Sequence, residues 1–275
     1  MDLTEDEKII RQQAQKYIVD NEDALIQRFV TSKNPLRLGT VSLFMAGSPG
    51  AGKTEFSKRY LPGHLDKEDA DLAKLLSAQD VDMQNVDTLF IRIDVDEIRE
   101  FLPNDLYKKA DVALGVCGNA HIVHPAATSG LDIIREYCFQ NNISFLLDGT
   151  FGGHYSTMKE LIRKSLKLGR QVQIFYLYLD PLVAWEFTKA REYLEGRNIV
   201  KEKFIDQFFA SRENVKRAKK DFGAEVKLHV IVKNKLNDVD QVRLNVPDID
   251  SFFQKQYSKQ LITEYTKEDL LNLIS

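Results

Sequence analysis

The sequence predicts an α/β fold, a parallel sheet covered by helices on both faces. Two observations carry that prediction. Five short runs, Val41–Ala46, Thr88–Asp94, Ile143–Asp148, Val172–Leu179 and Val226–Val232, are rich in β-branched and aromatic residues. They are near-continuous apolar stretches, as strands buried on both faces are. The segments between them, about 24 to 48 residues long, leave room for crossover helices.

The elements follow in order. Residues 1–38 form a helical extension, with Ile9, Ile10, Tyr17, Ile18, Leu25, Ile26 and Phe29 at helical spacing and Pro35 closing it. Residues 39–247 hold the five strands. Among their connections, Thr157 stands three residues before Glu160 in a capping-box pattern, and Gly169 ends the Lys- and Arg-rich helix that follows. Asp180-Pro181 opens another helix, since proline fits the first helical turn. Residues 248–275 close the chain with helices carrying Phe252, Phe253, Tyr257, Leu261, Tyr265, Leu270 and Leu271. No repeat, low-complexity tract or Gly/Ser linker interrupts the 275 residues, so one elaborated domain is expected.

Composition narrows the function classes. With 43% hydrophobic and 29% charged residues, the chain is neither disordered, collagenous nor a disulfide scaffold. Its 38 basic and 41 acidic side chains give −3, which argues against a general nucleic-acid binder. The near-neutrality hides an asymmetry: residues 1–150 carry 16 basic and 24 acidic side chains, residues 151–235 carry 18 and 10, and residues 236–275 carry 4 and 7. Cys117 and Cys138 belong to no zinc or redox spacing. The start, Met1-Asp2-Leu3-Thr4-Glu5, has no signal-peptide character, and the longest apolar run, Val41 to Gly47, is too short to span a bilayer. A cytoplasmic protein without a membrane partner is the expectation.

The sharpest motif is Gly47-Ser48-Pro49-Gly50-Ala51-Gly52-Lys53-Thr54, a full GxxxxGK[ST] between the first strand and a helix-forming segment. Glycines let backbone N–H groups wrap phosphates, and the helix N-terminus adds partial positive charge. Lys53 is expected on the β and γ phosphates of a nucleoside triphosphate, and the Thr54 hydroxyl on Mg2+. This refines the fold to a P-loop kinase-type sheet with strands in the order 2-3-1-4-5 and extra terminal helices.

Ligands of such sheets lie beyond the carboxyl ends of the strands. There the second run ends in Asp94-Val95-Asp96-Glu97-Ile98-Arg99, and alternation puts Asp94 and Asp96 on one side. A carboxylate in that place orients a substrate hydroxyl beside the γ-phosphate; for Asp94, capping the next helix is an equal alternative. The third run ends in Asp148-Gly149-Thr150. Asp148 is placed to hold Mg2+ through water and Thr150 to bond substrate or phosphate, a capping or turn role being the alternative for both. Arg191 and Arg197 are candidates to close on the phosphates, because phosphoryl transfer rests on positioning and charge stabilisation. The cluster Arg212, Lys216, Arg217, Lys219 and Lys220 fits a solvated helix face. His121 and His124, three apart, have no third ligand nearby and suit a pocket or packing role better than zinc.

With these motifs in this order, the chain resembles the zeta toxin family of P-loop kinases over roughly residues 40–235. The resemblance implies ATP and Mg2+ as cofactors, a sugar hydroxyl of UDP-N-acetylglucosamine as acceptor, and a partner antitoxin. It implies that Lys53 and Thr54 bind ATP and metal, that Asp96 is the base, and that Arg191 and Arg197 stabilise the transferring phosphate. Asp94, Arg99, Asp132, Asp148 and Thr150 fall to the substrate side; Asp132 is assigned by the resemblance alone. The chain departs from the family where Asp148 and Asp132 replace glutamates and where the arginines stand six apart. Another hydroxyl-bearing nucleotide, sugar, dinucleotide or polynucleotide end, or a nucleotide-dependent switch without a small-molecule acceptor, therefore stands as the alternative.

Overall fold

The computed structural model describes residues 3–35, 41–60, 90–109, 118–195 and 199–274. Its strands are β1 Val41–Ala46, β2 Ile91–Asp94, β3 Phe145–Asp148, β4 Gln171–Tyr178, β5 Val226–Lys233 and β6 Val239–Arg243. They form one sheet in the order β2-β3-β1-β4-β5-β6. β1 pairs with β4 and β4 with β5 in parallel, while β6 returns antiparallel along β5. The helices are α1 Glu5–Asp20, α2 Glu22–Phe29, α3 Lys53–Glu55, α4 Val95–Arg99, α5 Ala120–Gln140, α6 Tyr155–Lys167, α7 Pro181–Glu195, α8 Lys201–Phe222, α9 Ile249–Ser258 and α10 Lys267–Leu273. None is long and apolar enough to cross a membrane among the described residues.

The strand order of the five expected strands is as the sequence predicts. The sixth is a difference: Val239–Arg243 is half-exposed and carries Asp240, Gln241 and Arg243, so it lacks the apolar run that marks its neighbours. A polar edge strand of this kind also resists pairing with another chain. α6 is a second difference. It begins at Tyr155 with His154 as its N-cap and no side-chain cap, so Thr157 and Glu160 lie inside it and Glu160 instead pairs with Arg163. Gly169, at φ +70°, ends it as expected.

The chain divides into two compact units. In one, α1 and α2 pack on α5. Thr4 and Glu7 close a reciprocal capping box at the start of α1, and Arg11 Nε donates to the Ile122 carbonyl at 3.3 Å. Ile18, Leu25 and Ile98 converge on Gly130 of α5, where the missing side chain lets them approach. The N-terminal helices thus bury their apolar residues in the core of this unit.

The other unit is organised around β1, whose six residues are all buried. The ring of Phe44 meets Phe151, Phe175 lies between Phe56 and His229, and Phe253 of α9 packs on Tyr176 and Tyr178. The basic face of α8 is only partly solvated. Arg212 lies 4.4 Å over the Phe253 ring, donates to the Tyr257 hydroxyl at 2.6 Å and pairs with Asp250, which Lys216 also holds. Lys219 donates to the Gly223 and Val226 carbonyls at the end of the helix. With Arg217 4.1 Å over the Tyr155 ring, four members of the expected solvent-facing cluster therefore tie α8 to its neighbours.

Gly130→Leu is expected to destabilise the protein by about 1–3 kcal/mol through overpacking, because a Cβ there would already lie 2.9 Å from Ile98 Cγ2. Urea unfolding measures it; an unchanged midpoint would show that the α1–α2–α5 contact is looser than described.

Candidate active site

The phosphate loop lies where the motif requires, between β1 and α3. Gly47 N–H donates to the Thr150 carbonyl at 3.1 Å, which joins the start of the loop to the segment after β3. At Gly50, φ is +74° and a Cβ would collide with the Ala184 carbonyl of α7, so both the backbone angle and the close approach require glycine. Lys53 Nζ donates to the Gly47 carbonyl at 3.1 Å and the Ser48 carbonyl at 2.7 Å, spanning the loop.

Thr54 Oγ1 donates to Asp148 Oδ2 at 3.3 Å. These residues are 94 positions apart in sequence, and the fold sets them side by side at the carboxyl ends of β1 and β3. Asp148 is 8% exposed. A hydroxyl and a carboxylate are hard oxygen donors of the kind Mg2+ takes, and Mg2+ commonly binds one or two such groups plus phosphates and water. No group of three or more His, Cys, Asp or Glu residues suited to a metal occurs among the described residues. The pair fits Mg2+.

The Asp148–Gly149–Thr150 segment is held in place by a residue that the motifs do not reveal. Asn214, in the interior of α8, donates through Nδ2 to the Phe151 carbonyl at 2.9 Å and the Gly153 carbonyl at 2.8 Å. Phe151 has φ +58°, an uncommon conformation for a bulky residue, and such strain persists only where surrounding contacts enforce it. Thr150 Oγ1 accepts from Gly152 N–H at 3.2 Å, a turn-forming bond. Only a buried asparagine amid charged neighbours on α8 could have signalled this role, and its spacing from Asp148 carries no pattern.

The acids after β2 form a second group. Asp94 caps α4, accepting from Asp96 N–H at 2.8 Å, and also pairs with buried Arg92 at 2.8 Å. Of its two expected roles, capping is the one its bonds display. Arg92 also pairs with Glu97. Asp96 pairs with Arg99 at 2.5 Å, and Arg99 Nη2 lies 2.9 Å from His124 Nδ1. His121 instead points to Glu7, at 3.9 Å, so the two histidines serve different partners.

Asp132 is not brought to this group. It pairs with Arg135 at 2.8 Å, is half-exposed, and borders a surface depression with Glu22 and Tyr137. It stands eight residues beyond His124 on α5, about 12 Å along the axis at 1.5 Å per residue. Arg191 is exposed on α7, and Arg197 lies outside the described residues, as does Cys117.

A glycine-rich phosphate loop on a sheet of this order defines a P-loop protein of the kinase type. The family profile of the zeta toxins matches residues 73–270, and the chain belongs to that family. The match begins after the phosphate loop, so loop and profile are independent observations. No curated protein matches the sequence. Among solved structures, the chain is similar to one from the PezAT chromosomal toxin-antitoxin system of Streptococcus pneumoniae, with TM-score 0.53 and 14% identity over 99% of this chain and 94% of that one. It is also similar to a chain of the AvrRxo1-ORF1:-ORF2 structure with ATP, with TM-score 0.55 and 11% identity over 94% and 75%. These likenesses bear on the fold.

Asn214→Ala removes both amide bonds and leaves two carbonyls without their donor, at a cost of about 1–3 kcal/mol. Asn214→Asp, which cannot donate from either oxygen when ionised, should be no better. Thermal unfolding of both variants measures the loss, and wild-type stability in either would remove Asn214 from this role.

Proposed function

We propose that the protein is an ATP-dependent kinase of the zeta toxin type, transferring the γ-phosphate to a hydroxyl of a nucleotide sugar such as UDP-N-acetylglucosamine. The observation that carries this reading is the Thr54–Asp148 pair at the mouth of a complete phosphate loop. The ATP of the similar AvrRxo1 structure and the family membership support it.

In this reading the loop amides and Lys53 hold the phosphates. Anionic phosphate competes for the Lys53 ammonium with the neutral Gly47 and Ser48 carbonyls, and a charged acceptor makes the stronger bond. Thr54 and, through water, Asp148 hold Mg2+, which when bound neutralises charge on the β and γ oxygens. Asp96 follows β2 as the loop follows β1, and ligands of open sheets lie beyond strand carboxyl ends. Asp96 orients the attacking hydroxyl and accepts its proton, with Arg99 fixing its carboxylate. Arg191 and Arg197 close on the transferring phosphate, and Thr150 and Asp94 border the acceptor.

The shorter Asp148, where the family has glutamate, favours keeping other nucleotides and dinucleotides among the acceptors to be tried. A polynucleotide end is disfavoured because two of the three phenylalanines that could stack on bases, Phe204 and Phe208, are buried and Phe209 is partly so. The protein would act in the cytoplasm, restrained by an antitoxin as in the PezAT system.

Labelled ATP offered with nucleotide sugars, dinucleotides and RNA 5′ ends should label a nucleotide sugar. Asp96→Asn should lower that rate by about 10^2–10^4 while ATP binding persists, and Lys53→Ala should abolish labelling. Full transfer by Asp96→Asn would overturn the assignment of the base, and labelling of none of the acceptors would overturn the kinase reading. Native expression should arrest growth, and Lys53→Ala should relieve it.

A further inference from the structure

A second lysine lies against the phosphate loop, contributed by β5. Lys233 is the last residue of that strand and is 6% exposed. A Cβ placed on Gly52, whose φ is +73°, would strike Lys233 Nζ and lie 2.8 Å from Asn237 Oδ1. Alternation along β5 puts Lys233 on the face of His229, the face that stacks on Phe175 and, through it, meets Phe56 just beyond the loop. The β5–β6 register shifts between Val232 and Lys233 with the extra residue, Asp240, on β6, so alternation along β5 runs on to Lys233.

The ammonium is costly where it stands. Burial holds its pKa below the ordinary lysine value, and the influence of Glu55 and Asp238 runs the other way. Neither acid forms an ion pair with it among the described residues. A buried cation that forms no ion pair keeps an uncompensated desolvation cost. Beside it, Asn237 Oδ1 is buried and has no hydrogen-bond donor among the described residues. The turn that carries Asn237 is pinned: Asn234 Oδ1 accepts from Leu236 N–H at 2.9 Å and Asp238 N–H at 3.0 Å, and Asn237 itself has φ +66°. An ammonium has three donors, enough for the Asn237 oxygen and for an anion at the loop.

We propose that Lys233, oriented by Asn237, is a second phosphate-binding cation of the loop and that its counter-ion is the phosphate chain of the bound nucleotide. This rests on the loop binding a nucleoside triphosphate. It explains why a cation is buried against a backbone segment built to receive an anion, and why the neighbouring position is glycine. Lys53 acts from within the motif, and Lys233 from the strand two places away in the sheet.

The test is equilibrium binding of ATP and of inorganic tripolyphosphate to the full-length protein, wild type and Lys233→Met. Tenfold or greater weakening of both ligands is expected, together with unchanged or raised thermal stability of the ligand-free variant, since replacing an unpaired buried charge by an apolar side chain relieves a penalty. Lys233→Gln, polar and of similar length, takes its place should the methionine variant not fold. Asn237→Ala, on the exposed turn, should weaken both ligands severalfold. Unchanged tripolyphosphate affinity in the Lys233 variant, with or without loss of ATP, overturns the proposal. Failure of the wild type to bind ATP would instead overturn the nucleotide reading itself.

Discussion

The bond from Gly47 N–H to the Thr150 carbonyl is the constraint on which the rest of the candidate site depends. A phosphate loop is useful only if its amides face one point, and its first residue leaves β1 at the edge of a strand buried along its whole length. By clamping that residue to the segment after β3, the bond fixes the distance between two loops that come from different parts of the chain. Thr54 and Asp148 then meet as a consequence. The clamp is itself held from behind by Asn214, whose two bonds fix the backbone on either side of Gly152. The strained φ of Phe151 is offset by these bonds and by the packing of its ring on Phe44.

What was legible in the sequence is what is written locally. The phosphate loop is eight consecutive residues in a strand–turn–helix context, and apolar runs of the right length mark the five strands. Their order follows from the fold that such a loop defines. β6 is not legible because an edge strand needs no apolar face. Asn214 and Lys233 are not legible because their roles depend on which backbone segments they reach, and each is 63 or more positions from a group it serves: Asn214 from Phe151, and Lys233 still further from Gly52. Thr157 and Glu160 show the converse. Their spacing matches a capping box, but the turn before Tyr155 is already set by the loop after β3, so the helix starts earlier and the pattern goes unused.

The acidic residues divide by the same logic. Asp94 and Asp96 are two positions apart, yet one bonds a backbone N–H and a buried arginine while the other points its carboxylate to Arg99. A helix starts between them, and period-two alternation stops where α4 begins. The helix start therefore separates in role two residues that strand alternation would group. Asp132 differs in kind. It stands about two turns beyond His124 on α5 and pairs with Arg135 rather than with the group around Asp96.

The charge asymmetry of the chain has a structural reading as well. Part of the basic excess between positions 151 and 235 is engaged inside the protein. Arg170 donates to Ser42 and the Val41 carbonyl, Arg212 and Lys216 converge on Asp250, Arg217 lies 4.1 Å over the Tyr155 ring, and Lys219 caps α8. Acids from the C-terminal segment thus neutralise part of the central surplus, as Asp250 does for α8. A positive surface would bind polyanions of many kinds, whereas charges spent on internal partners leave only a few cations directed at one ligand. A cation removed from solvent, as Lys233 is, keeps its field against salt and acts only on a charge delivered to that spot.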